Sequence, residues 1–181
     1  MKAISLTQPW SSLVAAGEKR IETRSWYTNF RGALAIHASK SCPREYQLLC
    51  FEEPFYTALL SAGLLERRRS DGNGVPGQLA IRKDCFPLGA VIAVARLVDV
   101  IHIPLGPRQF HVRGNRLTGL PRVLELPPPE PELCFGDYTP GRYAWLLDAV
   151  RPLPRPIYAR GAIGLWNWDH KSIDWDHKSI E

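Results

Sequence analysis

The sequence predicts an α+β domain built on a closed or nearly closed, antiparallel-rich β-barrel with flanking helices. Three observations predict it. Residues 89–103 form a Val/Ile-rich run with strand character. Further apolar strands are set apart by Gly and Pro punctuation. The helical stretches do not alternate with the strands in the βαβ manner of a parallel sheet. At 181 residues the chain is long enough to bury a core and suits a single domain. That domain is expected over residues 1–168, with a separate tail over 169–181.

Taken in order, Lys2–Leu6 alternates weakly and reads as the first strand. Thr7 is placed to cap a helix with Pro9 in its first turn, Trp10, Leu13 and Val14 share its inward face, and Gly17 suits a left-handed stop. Residues 20–25 then read as extended and Gly32–Ala38 as a second strand. Residues 43–68 are helical in composition, broken near Pro54. Arg67, Arg68 and Arg69 fall at the end of that stretch, where the helix dipole favours positive charge. Asp71-Gly-Asn-Gly is a turn. The strand over 89–103 is expected to bend near Asp99. Residues 104–140, rich in Pro, Gly and Arg, read as a long surface excursion with one strand around 117–126; such excursions are often functional. Residues 142–150 and 157–166 read as two further strands.

Composition excludes several classes. No stretch of about 18 apolar residues exists, and the best candidate, residues 88–98, is interrupted by Arg96, so no membrane partner is expected. The N-terminal residues show no signal-peptide h-region. Cys42, Cys50, Cys85 and Cys134 are scattered without metal-ligand spacing, which fits free thiols in a reducing cytoplasm; no metal and no cofactor are expected. Formal net charge is +5. The tail sets Lys171 and Lys178 against Asp169, Asp174, Asp176 and Glu181, so the body is more basic than the total. Such an excess draws polyanions, and equally describes a solvated face that binds nothing. The tail repeats itself: Trp168-Asp-His-Lys-Ser-Ile-Asp is followed by Trp175-Asp-His-Lys-Ser-Ile-Glu. Two copies are too few for a coiled coil, His170 and His177 make a weak metal pair, and a loosely attached duplication is expected.

The chemistry-bearing stretch follows Gly17. In a strand alternate side chains share a face, so Glu22 and Arg24 point together while Ile21 enters the core, and Lys19 at the turn can swing over the same polar side. A Lys beside an Arg can serve as base or nucleophile, a Glu can move a proton, and an Arg can clamp phosphate. A salt-bridge cluster joining helix to strand accounts for the same three residues. Trp26 can stack on a base or pack into the core, and Trp10 reads as packing. Tyr27 reads as half-buried. His37 lies opposite Leu34 and Ile36 in the alternation and is placed facing the cleft near Lys40, or as a structural histidine. Tyr143 and Trp145 alternate on one late strand. Arg108, Arg113, Arg116 and Arg122 on the excursion suit phosphates or solvent.

Gly17, Lys19, Glu22 and Arg24 spell G-x-K-x-x-E-x-R, the signature of the ASCH (activating signal cointegrator homology) domain family. Gln8-Pro-Trp before it, and Ser25-Trp-Tyr-Thr with Arg31-Gly after it, strengthen the resemblance. It resumes at Phe86-Pro-Leu-Gly, Phe135-Gly-Asp-Tyr, Gly141-Arg-Tyr-Ala-Trp and Gly161-Ala-Ile-Gly-Leu-Trp. The family is similar in fold to the PUA domain, which implies a PUA-like β-barrel with flanking helices and a cleft over the motif. It also implies binding of single-stranded RNA or a nucleotide, with DNA as a further possibility; combined with the residue readings above, the candidates for that binding are Lys19, Arg24, Trp26, Tyr27, His37 and Lys40. As an alternative it implies a hydrolase, either a ribonuclease or an N4-acetylcytidine amidohydrolase, with Lys19 and Glu22 as catalytic residues. In the compact amidohydrolases a Thr stands where this chain has Glu22, and a downstream Glu, unassigned in this sequence, completes the site. A protein-interaction role in transcription rests on that resemblance alone.

Overall fold

A computed structural model describes residues 1–67, 79–81, 86–111 and 123–169. In chain order these form β1 (Lys2–Leu6), α1 (Trp10–Ala16), β2 (Ile21–Arg24), β3 (Gly32–Ala38), α2 (Arg44–Leu49) and α3 (Phe55–Ser61). Next come β4 (Leu65–Arg67), β5 (Leu79–Ile81), β6 (Ala90–His102), β7 (Arg108–His111) and β8 (Val123–Leu126). A 3₁₀ turn (Glu132–Phe135), β9 (Tyr143–Tyr158) and β10 (Leu165–Asn167) complete the order. Six strands make one curled sheet in the order β10-β1-β3-β6-β9-β2, parallel only between β1 and β3. Because β10 and β2 remain its two edges, the sheet is an α+β, PUA-like half-barrel rather than a closed one. The pairs β4–β5 and β7–β8 stand apart as two-stranded ribbons.

Alternation along the strands sorts side chains to the two faces. Ile4, Leu34, Ile36, Leu97 and Trp145 fill the inner cluster, which Val14 of α1 closes. Ala3, Ala35, Val91, Val94 and Trp168 pack on the other face. A third cluster joins Leu13 of α1 to Phe55, Leu59 and Phe135, so α3 and the 3₁₀ turn lean on the same short helix. At the opposite end Ile21, Leu146 and Tyr138 pack with Leu124 and Leu126 of the β8 ribbon. Trp168 donates its backbone N–H to the Met1 carbonyl at 2.8 Å, which ties the end of the body to its start.

Helix α1 stops as expected: Gly17 sits at φ 81° and its N–H bonds back to the last turn. Its start is not capped by the Thr7 hydroxyl. The helix begins at Trp10, and the Gln8 side-chain oxygen accepts from the Ser12 N–H at 3.3 Å. A side chain one residue nearer the helix, with a longer reach, took the capping role. Helix composition over residues 43–68 does break at Pro54, but the second helix ends at Ser61 and Gly63 turns the chain into β4. Arg67 therefore lies in a strand, not at a helix terminus, while Arg68 and Arg69 lie outside the described residues. The excursion holds a strand the sequence reading did not expect, β7, paired to β8. Arg113, Arg116, Arg122, Cys85 and the repeated tail from residue 170 also lie outside the described residues.

Strand β6 changes register against β9 between Leu97 and Asp99, where the bend was expected. The larger correction concerns β9. Residues 142–150 and 157–166 are not two strands: β9 runs unbroken from Tyr143 to Tyr158, and only Leu165–Asn167 forms the last strand. Pro152, Pro154 and Pro156 misled the reading. Alternate N–H groups of a strand point to one side, and β2 ends where Ile21 opposes Leu146, so among the described residues the outer side of β9 has no strand partner beyond Leu147, whose N–H still reaches the Arg20 carbonyl. Prolines spaced by two are accommodated on such an edge.

His37 lies on the outer face, not in the cleft. Its Nδ1 is 3.1 Å from the Ser5 hydroxyl, its Nε2 3.1 Å from the Ala159 carbonyl, and its ring meets Trp166 edge-on. Nε2 facing a carbonyl must carry the proton, so Nδ1 accepts from Ser5 in the neutral ring. Burial holds its pKa below the ordinary 6.5, against the Ala159 carbonyl, which raises it. Protons then bind the unfolded chain more readily. Stability contributed by neutral His37 is intact above about pH 6.5 and is lost as pH falls through that value toward the folded pKa. Urea unfolding from pH 8 to pH 5 is expected to show this decline, and His37→Gln is expected to flatten it. An unflattened profile would remove His37 as the source.

Candidate functional site

Gly17 turns the chain out of α1, and the next residues run straight into the edge strand β2. There Ile21 and Thr23 are buried while Glu22 and Arg24 are half-buried on the opposite side, as alternation expects. Lys19 departs from expectation. It is 0% exposed, its Nζ donates to the Ile21 carbonyl, and it lies 3.7 Å from Glu22 Oε2. A second carboxylate, Glu132 from the 3₁₀ turn, stands 4.0 Å away. Lys19 is therefore sealed behind β2 and does not swing over a rim. A buried cation is tolerable only with such partners, and two carboxylates with a carbonyl supply them.

Glu132 does more than neutralise. Its two oxygens accept from the backbone N–H groups of Arg20 and Ile21 at 2.9 and 3.0 Å, pinning the turn to the start of β2. Burial pushes its carboxyl above the ordinary range, while Lys19 and the two N–H groups pull it down. Tyr138 lies against the same cluster. Burial, then the Glu132 and Glu22 charges, push its phenol up, and its hydroxyl has no hydrogen-bond partner among the described residues.

Before β2 opens a cleft of about 420 Å³, within the ~300–1,000 Å³ common for small-ligand sites. Glu22, Thr23 and Arg24 form one wall, Trp10 and Tyr46 another, and residues 134–137 a third. The Asp137 N–H donates to the Thr23 hydroxyl at 3.0 Å, so that third wall is stitched to β2. Trp10 meets Tyr46 edge-on with centroids 4.8 Å apart. Arg24 is held at both ends: Nη2 donates to the Ser5 carbonyl at 3.0 Å and Nε lies 3.0 Å from Glu22 Oε1. Asp137 is paired with Arg142 at 3.2 Å. Of the charged residues lining the cleft, Glu22 and Arg24 pair with each other and Asp137 pairs with Arg142, so none presents an unopposed charge.

The structure brings together Lys19, Glu22 and Arg24, with only the last two on the cleft. It does not bring the remaining sequence-selected residues there. Trp26 packs on the core with its ring 4.7 Å from Trp145, edge-on. Tyr27 is exposed, tilted on Tyr143 at 5.5 Å with Arg31 6.0 Å over it. Lys40 folds its stem over Gly89, and neither it nor His37 lines the cleft. Sequence reasoning missed Glu132 and Tyr46, and read Trp10 as packing alone. A signal for Glu132 existed, since it stands three residues before the Phe135-Gly-Asp-Tyr block that closes the excursion. Burial pushes the Cys50 thiol up to about 12, so that cysteine is a packing residue. Among the described residues no group of three or more His, Cys, Asp or Glu is placed to hold a metal ion, and no helix is long and apolar enough to cross a membrane.

A curled six-stranded half-barrel with a few short helices matches the PUA-like α+β class. The ASCH domain model matches residues 4–112, and the chain belongs to the ASCH domain family. Among curated proteins it is similar to human activating signal cointegrator 1, 52% identical over 44 residues, which is 23% of this chain and 8% of that protein. The mouse activating signal cointegrator 1 is 52% identical over 40 residues, 22% of this chain and 7% of that protein. The matched stretch thus spans less than a tenth of those relatives.

Proposed function

We propose that this ASCH domain binds single-stranded RNA or a nucleotide by seating one base in the cleft between Trp10, Tyr46 and the Glu22–Arg24 wall. One observation carries the reading: aromatic rings and a paired carboxylate–guanidinium border the same cavity. Aromatic faces stack on any base, and a carboxylate oxygen accepts from a base's amino or ring N–H. The balanced charge around the cleft suits a neutral base better than a phosphate. Lys19 serves this site from behind, by holding Glu22 and Glu132.

The test is a titration of the protein with short single-stranded RNA and with free nucleosides at low salt. Trp10→Ala is expected to weaken binding by about 1–3 kcal/mol, the ordinary value of one stacked base. Absence of saturable binding would remove the reading. The same incubations, analysed for cleaved RNA or released acetate from N4-acetylcytidine without added metal, separate a binder from a hydrolase that uses the same wall. Turnover that disappears in Glu22→Gln would replace binding by catalysis.

A further inference from the structure

Seating a base leaves the RNA's phosphates without partners, because no cation of the cleft is free for them: Lys19 is sealed, and Arg24 and Arg142 are paired. Elsewhere on the described surface, two exposed arginines flank an exposed tyrosine along the second half of β9 and just after it. Arg155 and Arg160 are exposed in a stretch, 149–160, that contains no acid, and Tyr158 between them is 81% exposed. Asp148, just before, is buried and paired with Arg96 at 3.1 Å, so it does not cancel them. Among the described residues this segment is also an open edge of the sheet, since β2 ends opposite Leu146. An open edge normally invites a peptide strand. Pro152, Pro154 and Pro156 carry no N–H, so a peptide strand laid there would find no ladder. A partner held by charge and stacking meets no such obstacle.

We propose that this proline-stripped edge of β9, with Arg155 and Arg160 flanking the exposed Tyr158 ring, grips the phosphates of a single-stranded RNA and stacks one of its bases. The inference rests on the RNA reading of the cleft but uses none of its residues. Arg155 and Arg160, with no ion pair among the described residues, bind phosphates and release counterions when they do so. Tyr158 contributes a stacking face that accepts any base. Base choice then belongs to the cleft and salt dependence to the edge.

The experiment measures Kd against salt for a short single-stranded RNA, and separately for a free nucleoside, in the full chain. Arg155→Ala with Arg160→Ala is expected to reduce the slope of log K against log salt by about 1.4, two phosphate contacts at ~0.7 each. Nucleoside binding should be unchanged. Tyr158→Ala is expected to cost at least about fivefold in RNA affinity with the slope intact. These positions are exposed, so unfolding curves are expected to match the parent. A slope unchanged in the double variant overturns the proposal while leaving the cleft reading in place. Nucleoside binding without RNA binding does the same, as does capture of the edge by anionic lipid vesicles in place of RNA. Weakened RNA and nucleoside binding in Trp10→Ala, with the slope reduction still seen when Arg155→Ala and Arg160→Ala are added to it, identifies the cleft and the edge as separate contacts.

Discussion

Replacing Lys19 by Met is expected to cost about 3 kcal/mol of stability at pH 8, the scale for breaking a buried ion pair from one side. The methionine fills most of the space, so the loss is electrostatic rather than a cavity. Without the ammonium, Glu132 keeps its bonds to the Arg20 and Ile21 N–H groups but loses the charge that opposes its desolvation. Glu22 retains Arg24 at 3.0 Å and suffers less. The sign with pH follows from Glu132. Its carboxyl is already pushed up by burial, and removing Lys19 pushes it further. A raised folded pKa means stability is present at low pH and lost as pH rises through the folded value. The penalty of Lys19→Met should therefore shrink as pH is lowered toward 5. Adding Glu132→Gln should recover part of it at pH 8, because a neutral amide has no charge to strand. Urea unfolding of the two single variants and the double variant measures the coupling directly. Additive losses at both pH values would show that Lys19 and Glu132 do not act on each other.

What the sequence displayed of this site and what it hid have the same cause. Ile21, Glu22, Thr23 and Arg24 are neighbours in one strand, and the period of two alone sorts them between core and cleft. Lys19 lies in the turn before that strand, where no periodicity says which way a side chain goes. Its burial depends on Glu132, more than a hundred residues away. Trp26 and His37 looked available for a ligand because each is polar or aromatic beside charged residues. Their actual partners, Trp145 and the Ser5–Ala159 pair, come from segments that only the tertiary pairing brings near. Gly17 was legible because a left-handed stop has one cheap residue. The three prolines of β9 were misread because proline breaks a strand only when its missing N–H faces a partner, and sequence does not say which strand is an edge.

Gly161→Ala is expected to destabilise the protein by about 1–3 kcal/mol, the usual cost of adding a methyl where packing has no room. A Cβ at this position would stand 2.4 Å from His37 Cε1 and 2.7 Å from both His37 Nδ1 and the Ser5 hydroxyl oxygen. Neither neighbour is a loose surface group. The imidazole is held between Ser5 and the Ala159 carbonyl, and the Ser5 oxygen also accepts from Trp166 Nε1 at 3.3 Å. To admit the methyl, the ring must leave its partners or the chain after β9 must lift. Lifting it loosens the approach to β10, whose residues pair with β1 from Ile4↔Leu165 to Lys2↔Asn167. Near-ultraviolet circular dichroism and Trp166 emission should therefore report the change before global unfolding does. Combining Gly161→Ala with His37→Ala distinguishes a clash with the ring from a general intolerance of alanine. Removing the ring makes room for the methyl, so the double variant should be more stable than the sum of the single losses by at least about 0.5 kcal/mol. Strict additivity would place the strain at Ser5 or in the backbone instead. A Gly161→Ala protein as stable as its parent would mean that the loop closes over His37 less tightly than these distances require.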